Sequence, residues 1–274
     1  MSLQEAAPLL LVGCGKMGGA LLTGWLSGGL SRDSVMIVEP AEALRKDLAG
    51  QGLAAVASPA EVPADFAPRL LVMAVKPQQM DAVLADCRPL LRPESLVLSI
   101  AAGCTLARYE AGLGAGTAVV RAMPNTPAAV GRGISVLVAN PRVDAPGRAI
   151  CEALMQAVGE VAWVEDEALM DPVTAVSGGG PAYVFLLIET LAEAGVAAGL
   201  APELAARLAR VTVAGAGELV HQASESPSTL RENVTSPGGT TLEALKVLMA
   251  EQGLQPLMTE AIAAATRRSR ELAS

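Results

Sequence analysis

The sequence predicts a doubly wound α/β Rossmann fold with a mostly parallel sheet, followed by an all-α domain. Three observations predict it. Short apolar runs alternate with helix-length stretches through the first half. The first run ends in a G-x-G-x-x-G turn, and strand-like runs stop near Glu165. A chain of 274 residues is long enough for two domains at ~150 residues each. The expected division is 1–164 for the α/β domain and 165–274 for the helical one.

Leu9-Leu10-Leu11-Val12 is continuously apolar, as suits a strand buried on both faces of a parallel sheet. Gly18 to Leu26 reads as a helix stopped by Gly28-Gly29. Val35–Val38 is the next strand and Ala41–Gly50 the next helix. Leu70–Val75 is a strand, Pro77–Leu91 a helix, and Leu96–Ile100 a strand. Thr117–Arg121, Ile134–Val138 and Glu160–Val164 complete the strands. This alternation defines a doubly wound sheet.

Beyond Glu165 only helices are expected: Ala182–Ala198 led by Pro181, Pro202 to His221, a short Pro227–Asn233, Thr240–Gln252 closed by Gly253, and Leu257–Leu272. In Ala182–Ala198 the only charges are Glu189 and Glu193. A helix apolar all round must be buried all round. A domain of about 110 residues has little room to enclose one, so a second subunit is expected to complete its burial, giving an intertwined dimer.

Composition removes several function classes. Net charge is −8 and aromatics are 2%, so neither an attractive field for nucleic acid nor stacking platforms for single strands exist. One histidine, His221, excludes metal sites that need two, and no metal is expected. Cys14, Cys87, Cys104 and Cys151 show no close spacing and read as reduced cytosolic thiols. Mean hydropathy is +0.42. The longest uncharged stretch, Pro172 to Ile188, contains Ser177-Gly178-Gly179-Gly180-Pro181 and is not expected to form one membrane-spanning helix. With no basic segment before the first apolar run, a cytoplasmic protein is expected.

Gly13, Cys14, Gly15, Lys16, Met17 and Gly18 form the glycine turn, between a strand and a helix as a dinucleotide site requires. Gly13 permits the tight turn, Gly15 lets pyrophosphate approach, and Gly18 lets helix and strand pack. Free N–H groups at the helix start meet the phosphates. Cys14 is read as a small filler. Glu39, twenty-one residues after Gly18, suits the adenosine ribose hydroxyls and repels a 2′-phosphate. That leans towards NADH over NADPH, although Arg45 or backbone contacts offer the phosphate an alternative.

Lys76-Pro77 lies at the carboxyl edge of its strand, where doubly wound sheets bind ligands. Lys76 either touches the dinucleotide or is a solvated helix-start lysine. Ala101-Ala102-Gly103 leaves room for a flat ring. Asn125, between Pro124 and Pro127, either bonds a carboxamide or forms a turn. In the helical half, Thr235-Ser236-Pro237-Gly238-Gly239-Thr240-Thr241 opens a helix with glycines and hydroxyls. This arrangement suits a carboxylate. The chain has only four lysines and one histidine, a poor inventory for a dehydrogenase needing a positioned acid or base. An imine arrives basic enough to be protonated, and its reduction needs mainly orientation.

The motifs Gly13–Gly18, Ala74-Val75-Lys76-Pro77-Gln78, Arg121–Pro127, Ser177–Tyr183 and Thr235–Thr241 occur in the order seen in pyrroline-5-carboxylate reductases, and the chain resembles that family over nearly its whole length. The resemblance implies NAD(P)H-dependent reduction of the C=N bond of 1-pyrroline-5-carboxylate to L-proline, the last step of proline biosynthesis. It implies a helical dimerisation and substrate-binding domain, with dimers often assembling into a decamer. It places Thr241 at the ring nitrogen and the backbone of Gly239, Thr240 and Thr241 at the carboxylate. Asn233 and Val234 become pocket walls near cofactor and substrate, Glu167 a neighbour of the substrate, and Ala74, Val75, Lys76, Pro77, Ala101 and Ala102 the nicotinamide lining.

Two departures stand out. Ser177-Gly178-Gly179-Gly180 replaces the common Ser-Gly-Ser-Gly, and Glu39 stands where members favouring NADPH tend to carry small or basic residues. Rival readings are a β-hydroxyacid dehydrogenase and a non-catalytic dinucleotide sensor. The first lacks its lysine, since none occurs between Lys76 and Lys246. The second has no use for a Gly-Gly-Thr-Thr cradle.

Overall fold

The computed structural model describes residues 2–273. They divide into two compact units, residues 2–178 with 265–273, and residues 179–264.

The first unit runs β1 (Leu9–Val12), α1 (Lys16–Ser27), β2 (Val35–Val38), α2 (Glu42–Gly50), β3 (Ala54–Val56), β4 (Leu70–Met73), α3 (Met80–Cys87), β5 (Leu96–Ser99), α4 (Leu106–Leu113), β6 (Ala118–Met123), β7 (Gly133–Ala139), α5 (Ala145–Gln156) and β8 (Gly159–Trp163). A four-residue helix, α6 (Met170–Val173), leads into a π turn at Thr174–Gly178. Among the described residues the strands form one eight-stranded sheet, ordered β3-β2-β1-β4-β5-β6-β7-β8. All pairings are parallel except β6 with β7. The strand order reverses between β1 and β4, which places the ligand crevice of such a sheet at their carboxyl ends.

The apolar runs have the expected cause. Every residue of β1, β4 and β5 is buried. Leu9, Leu11, Leu70, Val72 and Leu98 pack on one face with Trp25 of α1 and Leu154 of α5. Leu10, Val12, Leu71, Met73 and Val97 pack on the other with Met80 and Leu84 of α3 and Tyr109 of α4. Alternation along each strand feeds both layers.

The second unit is helical: α7 (Gly180–Ala197), α8 (Pro202–Gln222), α9 (Pro227–Asn233), α10 (Thr240–Leu248) and the first part of α11 (Leu254–Ala273). A Cβ added at Gly195 of α7 would lie 3.2 Å from that of Ala205 on α8, so small residues set this crossing. No residue of α7 is buried within the chain.

Several expectations need correction. The β4 strand ends at Met73, two residues short of Val75, with one further ladder bond from the Ala74 amide to Val12 O at 2.8 Å. Pro77–Leu91 is not one helix: α3 is flanked by 3-10 turns at Pro77–Gln79 and Arg88–Leu90, each containing a proline that lacks an amide hydrogen. The helix from Thr240 stops at Leu248, and Gly253 precedes α11, which begins at Leu254. Helices α4 and α5, and the three-residue β3, were not expected. Thr105 and Asp144 cap α4 and α5, accepting the amide hydrogens of Arg108 and Gly147 at 3.2 and 2.8 Å. Finally, Gly178–Pro181 does not remove helical character. Glu167–Ala197 forms a 31-residue helical run long and apolar enough to cross a membrane by length and composition. Pro181 is accommodated because it sits in the first turn of α7.

Candidate active site

The glycine turn links β1 to α1 at the reversal point of the sheet. Gly13 adopts φ +92°, and a Cβ there would lie 2.7 Å from the carbonyl oxygen of Ala74. Its amide donates to Val38 O at 2.8 Å, tying the turn to β2. At Gly18 an added Cβ would overlap the Gly13 carbonyl oxygen, so helix and turn meet without room for a side chain. At Gly15 the same Cβ would meet nothing within 4 Å. That is the open space a diphosphate needs to reach the backbone. Gly15 caps α1 without a side-chain bond, so the amides of Lys16 and Met17 at the helix start have no intrahelical acceptor.

Glu39 follows β2 and is buried, with one oxygen accepting the Cys14 amide at 2.9 Å and the other that of Ala41 at 2.9 Å. Arg45 turns away from this carboxylate and donates to the carbonyls of Glu39 and Pro40, at 2.8 and 2.6 Å. Burial, reinforced by Glu39, raises the Cys14 thiol from 9.0 to about 11. Cys14 is therefore a neutral filler at neutral pH.

Further along the same edge, Ala74 donates to Val12 O at 2.8 Å, continuing the ladder past β4. Val75 is half-buried, while Lys76 is exposed and starts the 3-10 turn at Pro77. Ala101 and Ala102 follow β5, with Ala101 buried and Ala102 half-buried. Asn125, after β6, is committed within the protein: its Oδ1 accepts the Ile134 amide at 3.0 Å and its Nδ2 donates to Ser177 Oγ at 3.3 Å. Glu167 accepts the Leu106 amide at 2.7 Å and pairs with the buried guanidinium of Arg121.

Ser99, Tyr109 and Arg121 carry no shared motif in the sequence. Ser99 closes an otherwise apolar strand, Tyr109 is one of two tyrosines in the chain, and both are fully buried. Their hydroxyls share a hydrogen bond. A lone polar residue at the carboxyl end of a buried strand was the available clue.

In the second unit, α9 ends at Asn233, which is exposed, as is Val234. Gly238 adopts φ +70°, and Gly239 donates its amide to Ser236 O at 3.1 Å before capping α10 without a side-chain bond. The amides of Thr240 and Thr241 thus open α10 and have no intrahelical acceptor. Thr240 and Thr241 are exposed. Glu243, in the first helical turn, opposes an anion, and Lys246 at 2.6 Å offsets it.

This fold and glycine turn define a dinucleotide-binding protein with a helical second domain. Residues 167–272 match the model for pyrroline-5-carboxylate reductase dimerisation, and residues 9–103 match that for NADP oxidoreductase, coenzyme F420-dependent. The chain is 42% identical over 266 residues to the pyrroline-5-carboxylate reductase of Pseudomonas aeruginosa, covering 97% of this chain and 96% of that one. It is 41% identical to that of Synechocystis, with 99% of each covered. The solved pyrroline-5-carboxylate reductase of Coxiella burnetii superposes with a TM-score of 0.90 at 34% identity, covering 98% of this chain and 99% of that one. The Plasmodium falciparum enzyme with NADP bound gives 0.82 at 31% identity, with 98% and 99% covered. The chain belongs to the pyrroline-5-carboxylate reductase family. Its cofactor is NAD(P)H and it forms homo-oligomers.

Proposed function

We propose that the protein reduces the C=N bond of 1-pyrroline-5-carboxylate to give L-proline, the last step of proline biosynthesis. The observation that carries this reading is the glycine-led start of α10. It offers two helix-start amides and two threonine hydroxyls in a chain that also holds a complete dinucleotide turn. NAD(P)H supplies the hydride. The residues of the first unit fit it. The amides of Lys16 and Met17 receive the diphosphate over Gly15, and Ala74 to Pro77 with Ala101 and Ala102 line the nicotinamide. Asn125 and Asn233 border the cofactor.

The Thr240 and Thr241 amides bind the substrate carboxylate, an interaction of about 0.3–1 kcal/mol at an exposed helix start. The Gly239 backbone shapes this cradle, although its own amide is already given to Ser236. The Thr241 hydroxyl bonds the ring nitrogen, fixing which face of the ring receives the hydride. Val234 walls the pocket, and Glu167 lies near the substrate. Glu39 favours NADH, since a buried carboxylate beside the ribose repels a 2′-phosphate. The boundary near Glu165 separates the cofactor-binding and substrate-binding domains. The assembly is a homodimer at least, with dimers joining into a decamer. The protein works in the cytoplasm, away from nucleic acid and membrane.

The test is oxidation of NADH and NADPH with 1-pyrroline-5-carboxylate and a panel of cyclic and acyclic imines. Turnover fastest with the five-membered carboxylated imine is expected. Tight cofactor binding with no turnover on any imine would overturn the assignment.

A further inference from the structure

Beneath the Ala101-Ala102 ledge lies a buried polar contact that the chemistry above does not use. Ser99 is the last residue of β5 and is 1% exposed. Its Oγ accepts the amide hydrogen of Ala101 at 3.2 Å and shares a hydrogen bond with the Tyr109 hydroxyl. Tyr109 lies on α4, fully buried among Val12, Met73, Val97 and other apolar side chains of that layer. Burial pushes its phenol up from the usual tyrosine value, so it stays neutral and keeps its hydrogen.

A hydroxyl pair in such a layer is a poor choice for stability alone. Replacing both partners by apolar groups of similar shape can be nearly neutral. What the pair does is specific. After Ser99 the chain leaves the ladder with one more bond, from the Ile100 amide to Met73 O at 3.1 Å, and then turns through Gly103 at φ +72°. The amide of Ala101 would otherwise be held by nothing but the turn. The bond from Ser99 sets its plane, and Tyr109 holds the Ser99 hydroxyl in the rotamer that accepts it. On the other side, a Cβ added at Gly103 would lie 3.3 Å from Leu272 O, so the turn is also limited from the far side.

We infer that Ser99 and Tyr109 are positioning residues for hydride transfer, acting through the Ala101-Ala102 backbone to set the height and tilt of the surface on which the nicotinamide rests. The inference rests on the reading of that ledge as the nicotinamide lining. A small tilt changes the distance between the donor carbon and the imine carbon, to which the rate is sensitive, and changes cofactor affinity little. The two hydroxyls act as a unit, because the Tyr109 hydroxyl bonds Ser99, whose Oγ in turn holds the Ala101 amide.

The experiment uses the full-length enzyme with Tyr109→Phe, Ser99→Ala and the double variant, and Ala102→Val as a probe of the ledge. The expected result is a fall in kcat of about five- to ten-fold in each single variant, from loss of one buried hydrogen bond. KM for NADH should stay within about two-fold. The primary deuterium isotope effect with C4-deuterated NADH should rise as hydride transfer becomes more limiting, and the double variant should cost no more than the worse single one. A purely structural role lowers thermal stability and leaves the isotope effect where it was. Unchanged kcat and isotope effect in both single variants, with Ala102→Val raising KM for NADH, would overturn the inference and leave the ledge standing. An Ala102→Val enzyme with wild-type KM and kcat would refute the ledge itself, and the inference with it. Should Tyr109→Phe fail to fold, Ser99→Ala, which removes one oxygen, carries the same decision.

Discussion

The amide of Cys14, inside the glycine turn, donates to the carboxylate of Glu39, 25 residues away, at 2.9 Å. The carboxylate proposed to read the ribose is thus tied directly to the glycine turn. Glu39 accepts from Cys14 on one oxygen and from Ala41 on the other, which fixes the carboxylate plane without a cation. Each oxygen still has a lone pair for a ribose hydroxyl.

Removing that charge should change cofactor choice. Glu39→Ser is expected to lower kcat/KM with NADH by about ten- to a hundred-fold, the worth of hydrogen bonds to a charged acceptor at 1.5–3 kcal/mol. NADPH activity should hold or rise, since the repelling charge is gone and Arg45 lies at the same strand end. The ratio of kcat/KM for the two cofactors decides it. An unchanged ratio would remove Glu39 from discrimination.

Cys14 gives a pH-dependent prediction. Its thiol rises from 9.0 to about 11, because burial and the Glu39 charge both disfavour the thiolate. Folding therefore favours the protonated form. The stability this contributes is present below pH 9 and is lost as pH rises towards 11. Native protein treated with iodoacetamide at pH 8 should keep Cys14 unmodified, as read by peptide mass spectrometry, and denatured protein should not. Rapid native alkylation of Cys14 would show the thiol to be open and ionised.

Much of this fold is legible in the sequence. The strands β1, β2, β4 and β5 announce themselves because burial on both faces needs unbroken apolar runs, and the turn announces itself because a side chain at Gly13 would strike the Ala74 carbonyl. Helices α4 and α5 do carry apolar stripes, Tyr109 with Leu113 and Ile150 with Cys151, Leu154 and Met155, but α4 is only eight residues long and α5 opens on Ala145-Pro146-Gly147, which reads as a turn. The Ser99–Tyr109 contact was not legible either. It joins a strand end to a helix without a clear sequence signal, and side-chain pairing across elements has no local periodic signature. Glu167 shows the same limit: its partner Arg121 lies 46 residues earlier, on β6.

Thr241→Ala tests the substrate half of the site. The hydroxyl is exposed at the start of α10, so its loss leaves no buried unpaired group and the fold should be unaffected. If it holds the ring nitrogen, kcat on 1-pyrroline-5-carboxylate should fall by about ten-fold or more, at roughly 1.4 kcal/mol per decade. The dissociation constant for NADH, measured by fluorescence, should stay put. Thr241→Ser should recover most of the rate. An unaltered kcat would take Thr241 out of the reaction.

The helix α7 predicts where the chain meets its copy. Phe185, Leu186 and Leu187 are 59, 58 and 51% exposed within one chain, and on α8 Val211 is 62% exposed. Large apolar side chains this exposed within one chain are what a partner subunit covers. In a two-fold dimer any substitution on it occurs twice across the interface. Phe185→Glu removes about 1.5–3 kcal/mol of burial per copy and adds the cost of desolvating a charge, so the dimer should weaken by at least two decades in Kd. Multi-angle light scattering at micromolar concentration should then report a monomer near the chain mass of 27.8 kDa. Far-ultraviolet circular dichroism should still report a folded first unit, whose core is separate from α7. A variant that keeps the wild-type mass at nanomolar concentration would move the interface away from Phe185.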